Sequence, residues 1–350
     1  MLAAILKDVG DLALEDIPKP TPGPTDAVVK VKATGICGTD HKAVRGRRHN
    51  VTFPIILGHE NSGVVDAIGP AVKNFVPGDE VVVAPIGGCG VCKWCRLGKV
   101  HFCEQGYTTG GEGAPTVLPG GFAEYMAVPE TLLYRKPAAV SFEAAALTEP
   151  VSCAWKAVVE YSGVRIGEDV VVIGTGGIGI FCVMLARRAG AARVVAVDTS
   201  DYALETALRL GATHAVNASS REIDGEPGIR EEILEILPGG PDLVIEAAGA
   251  ADAVKLMFAL RRKGTRVNVF GTTTPTSLTI DAGSLNNFET RVDVSFSTTP
   301  YAMENALLLI ERSVIDPREA ISHRFPLKQI HKAFDVMDRP DRSKVMIVQE

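Results

Sequence analysis

Four cysteines stand within fifteen residues, spaced Cys89-x2-Cys92-x2-Cys95-x7-Cys103. Thiolates at this spacing can close a tetrahedral zinc site with no open coordination position, the arrangement of a structural metal. An iron–sulfur cluster is the competing chemistry, because C-x2-C-x2-C also opens ferredoxin motifs. Those motifs continue with a shorter gap and then Cys-Pro, whereas here the gap is seven residues and Glu104 follows, so zinc is the expectation. A second donor set is spread more widely. Cys37 lies in Gly35-Ile36-Cys37-Gly38-Thr39-Asp40-His41, and twenty-two residues later comes Gly58-His59-Glu60. A thiolate, an imidazole and a carboxylate would give zinc a site with room for water or substrate. Zinc in such a site lowers the pKa of a bound hydroxyl, the first requirement for releasing hydride from an alcohol carbon. Taken singly, Cys37 could equally be a small buried hydrophobe and His59 a satisfied turn histidine.

A third constellation concerns a nucleotide. Gly174-Thr175-Gly176-Gly177-Ile178-Gly179 matches G-x-G-x-x-G, follows the apolar run Val170–Ile173 and opens an apolar helix. Asp198 ends the next apolar run, nineteen residues after Gly179. The glycines allow a tight turn and close approach of backbone to a pyrophosphate at the helix N-terminus. Asp198 would accept hydrogen bonds from the adenosine ribose and repel a 2′-phosphate, which favours NAD over NADP. Thr199-Ser200-Asp201-Tyr202 supply no nearby arginine, in agreement. Gly271, after the run Val267–Phe270, is expected in the same cofactor site.

These motifs need elements to hold them. A chain of 350 residues exceeds one ordinary core, so two domains are expected. The first half has short apolar runs at Ala27–Ala33, Val64–Ile68 and Glu80–Ala84 between Pro- and Gly-rich turns, the pattern of an irregular barrel or sandwich. From about residue 165, runs at Val170–Ile173, Val194–Val197, Leu243–Ile245 and Val267–Phe270 alternate with helical stretches near 178–189, 202–210, 230–237 and 251–262. Gly190, Gly211 and Gly264 stand where helix C-caps are expected. The alternation implies an α/β, doubly wound parallel sheet. The expected boundaries are 1–152 with 290–350 for the β-rich domain, and 153–289 for the nucleotide domain.

Residues 170–186 carry no charge, but their four glycines and the following Arg187-Arg188 fit a strand, turn and helix better than a membrane span. The net charge of -6, from 42 acidic and 36 basic residues, opposes binding to nucleic acid or an anionic membrane. The N-terminal residues show no basic leader or long apolar region, so a cytoplasmic location is expected, and there the clustered cysteines favour metal over disulfides.

Residues 35–41, 58–63 (Gly-His-Glu-Asn-Ser-Gly), 89–103, 149–150 and 174–179 resemble the medium-chain, zinc-dependent alcohol dehydrogenase family, and the similarity spans essentially the whole chain. The resemblance implies a Rossmann NAD-binding domain and a β-rich, GroES-like catalytic domain carrying a zinc lobe. It implies one catalytic zinc held by Cys37 and His59, with Glu60 a ligand or an exchangeable neighbour. It implies one structural zinc held by Cys89, Cys92, Cys95 and Cys103. Thr39 would relay the alcohol proton. Glu149 stands where other members place a second catalytic cysteine, and Glu149-Pro150 resembles the polyol, sorbitol and threonine dehydrogenase branch. Glu149 would ligate zinc directly or hydrogen-bond a water on it. Where other members have a histidine five residues after the zinc cysteine, His41 lies four after Cys37. It is either a relay or substrate residue, or a surface histidine.

The expected reaction moves hydride from a secondary alcohol, such as a polyol or sugar, to NAD. His323-Arg324-Phe325-Pro326 resembles a segment common among the polyol enzymes. The alternative is a threonine-type or other anionic substrate, although residues 295–303 do not read like the threonine enzymes' Arg-x-Met-x-x-Thr-Trp segment. Arg45, Arg47 and Arg48, in a run ending at His49, could bind an anionic substrate group or form a solvated loop. A catalytically silent protein that holds NAD and zinc is the reading from outside enzymology. A zinc-free reductase of the same superfamily conflicts with the intact Cys37, His59 and Glu60. The expected partners are a small alcohol and further copies of the chain, a tetramer before a dimer.

Overall fold

The structure, a computed structural model, describes residues 1–48, 51–111, 114–219, 222–223, 228–271 and 279–349. It divides into two compact units. The first comprises Met1–Ser152, Ser297–Arg339 and Lys344–Glu350; the second comprises Cys153–Phe296 and Pro340–Ser343.

The first unit is built around a seven-stranded sheet whose backbone is the long strand Asp26–Ile36. Glu60–Ile68 lies antiparallel on one side of it, with Glu80–Val83 and Leu133–Arg135 beyond. On the other side come Lys344–Val348 and then Ile321–Phe325, and Tyr125–Pro129 also pairs with the long strand. Register positions the chemistry. Gly35 pairs with Glu60, and Val345 pairs with Ile36. Cys37 and His59, just beyond those pairs, and Lys344, the first residue of its strand, therefore lie at one end of the sheet. A small sheet of Asp11–Asp16, Leu2–Asp8 and Ile55–Ile56 packs on a core that includes Leu6, Phe122, Phe334 and Ile347. Phe122 and Phe334 meet edge to face at 5.9 Å, and truncating either ring to Ala would cost about 3–5 kcal/mol.

The second unit is a six-stranded sheet, parallel at every pairing. Its strand order is His214–Asn217, Arg193–Asp198, Asp169–Ile173, Leu243–Glu246, Arg266–Val269, Arg291–Val294. In sequence terms this is 3-2-1-4-5-6, the doubly wound order whose ligand crevice opens where the winding reverses, between the first and fourth strands. Helices cover both faces, which is why Val170, Val171, Val172 and Val194–Val197 form continuous apolar runs with 0% exposure instead of alternating.

The structure differs from expectation at three places. His214–Asn217 and Arg291–Val294 are additional strands. The second carries the parallel unit past residue 289 to Phe296, and Pro340–Ser343 returns to it. Arg291–Val294 escapes sequence reading because it is an edge strand with alternating charge, leaving Val292 43% and Val294 61% exposed. The helix expected to reach residue 262 stops at Ala259, so Gly264 lies in the following turn and is not its cap. Among the described residues, no helix is long and apolar enough to cross a membrane.

Candidate metal sites and dinucleotide turn

Cys37 is the N-cap of helix Gly38–Val44, and the residue that closes this cap is Asp40. Asp40 Oδ2 accepts a hydrogen bond from the Cys37 backbone N–H at 2.9 Å. Its other oxygen, Oδ1, accepts the Gly58 N–H at 3.4 Å and lies 3.4 Å from His59 Nδ1. The turn before His59 is held a second time, by Asn61 Nδ2 donating to the Gly58 carbonyl at 3.0 Å. One buried carboxylate, 2% exposed, therefore holds the backbone at Cys37 and at Gly58 and lies against the imidazole. Sequence reading passed over Asp40, although its position three residues into a capped helix is the signal of a capping box.

Donor atoms of Cys37, His59 and Glu60 lie within 4.8 Å of one another. Glu60 occupies space that only glycine leaves: a Cβ on its ladder partner Gly35 would fall 1.8 Å from Glu60 Oε2. Glu60 Oε1 is ion-paired with Lys344, while the buried Oε2 has no hydrogen-bond partner. Lys344, also missed in the sequence, is 3% exposed. Glu149 begins helix Thr148–Trp155 and is buried, outside that three-residue group but close enough to favour the Lys344 ammonium. Thr39 is half-buried in the first turn after Cys37. His41 does not join them, because its Nε2 lies 2.7 Å from Asp338 Oδ1, at the C-cap of helix Ile330–Met337. Arg45 binds the other oxygen of Asp338. Arg47 is exposed and Arg48 half-buried, while His49 lies outside the described residues.

The electrostatics of this group favour a cation. Burial opposes charge on the His59 ring, yet the Asp40 carboxylate and the Cys37 sulfur outweigh it and hold His59 well above the usual imidazole range. Burial likewise opposes charge on Lys344, and Glu60, Cys37 and Glu149 overcome it. A pocket that holds a proton so firmly between anionic donors also suits a divalent ion. The mixed sulfur, nitrogen and oxygen set is zinc chemistry. The unpartnered Glu60 Oε2 is the oxygen free to join that set.

The cysteine lobe fits zinc by distance. Cys89 and Cys95 sulfurs are 4.0 Å apart, and Cys92 and Cys103 sulfurs 3.8 Å. A Zn–S bond of about 2.3 Å sets tetrahedral edges of about 3.8 Å. Backbone N–H groups already point at the sulfurs, Cys89 to Cys103 and Cys92 to Cys89 at 3.4 Å, and Cys95 to Cys92 at 3.5 Å. Amides of Val91 and Cys92 bring the Cys89 thiol down to about 6, whereas burial pushes Cys95 up to about 12.

In the second unit, the turn Gly174–Gly179 joins strand Asp169–Ile173 to helix Gly179–Arg188. Gly174 has φ 85°, a left-handed conformation, and a Cβ there would strike the Ala248 amide at 2.5 Å. A Cβ on Gly179 would fall 1.8 Å from the Gly174 carbonyl, so the helix packs this close to the strand only with glycine. Gly176 and Gly177 face open space instead, with nothing within 4 Å of a built Cβ. No side chain caps the helix at Ile178, and the Ile180 and Phe181 amides donate to the Gly176 and Ile178 carbonyls at 3.1 Å. Asp198 Oδ2 accepts the Thr175 N–H at 2.7 Å and Oδ1 the Ser200 N–H at 3.0 Å, which fixes the carboxylate at the strand end. Gly271 follows strand Arg266–Val269 and donates to the Glu246 carbonyl at 2.8 Å.

The family model for the alcohol dehydrogenase GroES-like domain matches residues 23–138, and that for zinc-binding dehydrogenases matches residues 177–312. An L-threonine 3-dehydrogenase of Anaeromyxobacter sp. (strain Fw109-5) is 32% identical over 340 residues, covering 95% of this chain and 94% of that protein. The crystal structure of a protein described as a zinc-binding dehydrogenase from Sinorhizobium meliloti 1021, bound to NADP, superposes with a TM-score of 0.86 at 32% identity, covering 99% of each chain. The 2R,3R-butanediol dehydrogenase of Bacillus subtilis gives 0.87 at 26% identity, covering 100% of this chain and 99% of that one. With both family models matched in order and full-length relatives above the level at which family is shared, the chain belongs to the medium-chain, zinc-dependent alcohol dehydrogenase family of oxidoreductases.

Proposed function

We propose that this chain transfers a hydride to NAD from a secondary alcohol carbon whose neighbouring carbon carries an amino or hydroxyl group. The observation that carries the reading is the gathering of Cys37, His59 and Glu60 donors within 4.8 Å at one end of the first unit's sheet. Cys37 and His59 would hold the catalytic zinc, with Glu60 or Glu149 completing the set, and Cys89, Cys92, Cys95 and Cys103 would hold a second, structural zinc. Zinc in the first site supplies Lewis acidity that lowers the pKa of the alcohol hydroxyl. Thr39, on the first turn after Cys37, would relay the hydroxyl proton, accepting it as its own O–H proton passes on toward solvent. Asp40 keeps the imidazole turned so that its other nitrogen faces the donor group. Lys344 holds the Glu60 carboxylate turned toward itself. In the second unit, Gly174–Gly179 cradles the pyrophosphate, and Asp198 accepts from the adenosine ribose, which supports NAD over NADP.

The substrate reading draws on the relatives. L-threonine at C3 and 2R,3R-butanediol both present a secondary carbinol beside a carbon bearing nitrogen or oxygen. The threonine enzymes are similar over nearly the whole chain, which favours an amino alcohol over a neutral polyol. A homo-oligomer is part of the same reading, and light scattering measures it.

The test is NADH formation by zinc-loaded protein with L-threonine, vicinal diols, polyols and simple secondary alcohols, with NADP as the control. Turnover of a vicinal amino alcohol or diol with NAD supports the proposal. Preference for an isolated secondary alcohol removes the substrate reading. Faster turnover with NADP removes the role given to Asp198.

A further inference from the structure

Glu246 is the last residue of the fourth parallel strand and is completely buried, at 0% exposure. Its neighbours Val244 and Ile245 show what such a position ordinarily holds. A carboxylate there costs several kcal/mol unless local donors offset it. The donors are the amides of the turn that follows. Glu246 Oε1 accepts the Gly249 N–H at 2.6 Å; burial still outweighs this and the amides of Ala248, Ala250 and Gly271, and holds the carboxyl above its ordinary range. Its Oε2 has no hydrogen-bond partner.

The turn so held touches the loops on both sides. A Cβ on Gly174 would meet Ala248 N at 2.5 Å, and one on Gly179 would meet Ala247 Cβ at 3.3 Å. A Cβ on Gly271 would meet Gly249 N at 2.3 Å and Glu246 Oε2 at 2.8 Å. The turn that Glu246 holds thus packs against the loops after the first and fifth strands. Those loops line the crevice at the reversal of strand order, where a doubly wound sheet receives its ligand. Asp198 lies on the far side, after the second strand, with the adenosine half.

We propose that Glu246 is a positioning residue for the nicotinamide half of the dinucleotide: its carboxylate gathers the 247–250 and 271 loops into the wall that half rests on. The inference rests on the dinucleotide reading given above.

The experiment is calorimetric titration of zinc-loaded wild type and Glu246→Gln with NAD and, separately, with ADP, which samples the adenosine half alone. The expected result is a loss of about tenfold or more in NAD affinity, with ADP affinity within about twofold of wild type. Equal NAD affinity in the two proteins overturns the inference, and so does an equal loss for NAD and ADP. If Glu246→Gln does not fold, Gly271→Ala, which crowds Oε2 from the other side, should give the same split between NAD and ADP, and its absence overturns the inference. A wild type that binds neither NAD nor NADP overturns the dinucleotide reading and this inference with it. A binding wild type with an indifferent variant overturns this inference alone.

Discussion

Lys344 and Glu60, separated by 284 residues of sequence, form an ion pair with side chains 3% and 1% exposed. The pair also faces Cys37, so three charged or ionisable groups share one dry end of a sheet. Removing one partner leaves the other buried without compensation, a loss of about 3–5 kcal/mol. Lys344→Met should therefore lower the unfolding temperature clearly, and Lys344→Met with Glu60→Gln should recover part of the loss. Thermal unfolding of the single and double variants checks this. A single variant as stable as wild type would show that the pair has no energetic role.

Asp40 supports both candidate ligands without being one. Carboxylates that hold a metal-binding side chain from behind typically change metal affinity by about 10–100-fold. Asp40→Ala should weaken one of the two zincs by that order in competition with a chelator, leaving the other unchanged. Cys37→Ser should lose the same zinc outright, together with activity, and remain folded. Identical metal binding in Asp40→Ala and wild type would limit Asp40 to capping its helix.

In the cysteine lobe the metal is expected to stabilise the structure. Cys95→Ser opens the closed tetrahedron and should reduce zinc from two per chain to one, with a lower unfolding temperature, because metal binding and folding of the lobe are one process. Elemental analysis with calorimetry reads both. Two zincs retained in Cys95→Ser would mean that the lobe holds its metal by other groups.

Glu168 and Arg266 supply a pH-dependent element in the second unit, with side chains 14% and 10% exposed. Burial opposes ionisation of Glu168, but the Arg266 guanidinium and the Arg165 amide outweigh it and hold its carboxyl below the ordinary range. A depressed pKa in the folded state stabilises at every pH above the unfolded value, about 4.3, and the contribution is lost as pH falls through the folded value. Glu168→Gln should cost about 2 kcal/mol at neutral pH and flatten the acid side of the stability profile. Parallel acid limbs in the two proteins would exclude the pair as a source of acid sensitivity.

Much of the chemistry was legible because it is local. The four lobe cysteines span fifteen residues, so their spacing alone brings the sulfurs together, and the structure shows 3.8 and 4.0 Å between two pairs. The glycine turn is equally local: left-handed φ at Gly174 and close packing at Gly179 are demands that only glycine meets, and they are readable as letters. Alternation of apolar runs and helices likewise disclosed the parallel sheet. Its edge strand Arg291–Val294 stayed hidden because one free edge and exposed valines erase the buried pattern.

What lies far apart in sequence was decided by pairing. Cys37 meets His59 because Gly35 stands opposite Glu60 in an antiparallel ladder, a register that no local pattern announces. Lys344 reads as an ordinary lysine beside a valine until Val345 pairs with Ile36 and carries it into the dry end of the sheet. His41 and Arg45, so near Cys37 in the chain, are turned to Asp338 because helix Gly38–Val44 packs beside helix Ile330–Met337. The sequence by itself determined which atoms could bind metal and nucleotide. The tertiary structure decided which of them meet and which buried charges answer one another, because ladder register and helix packing act over distances that residue spacing does not encode.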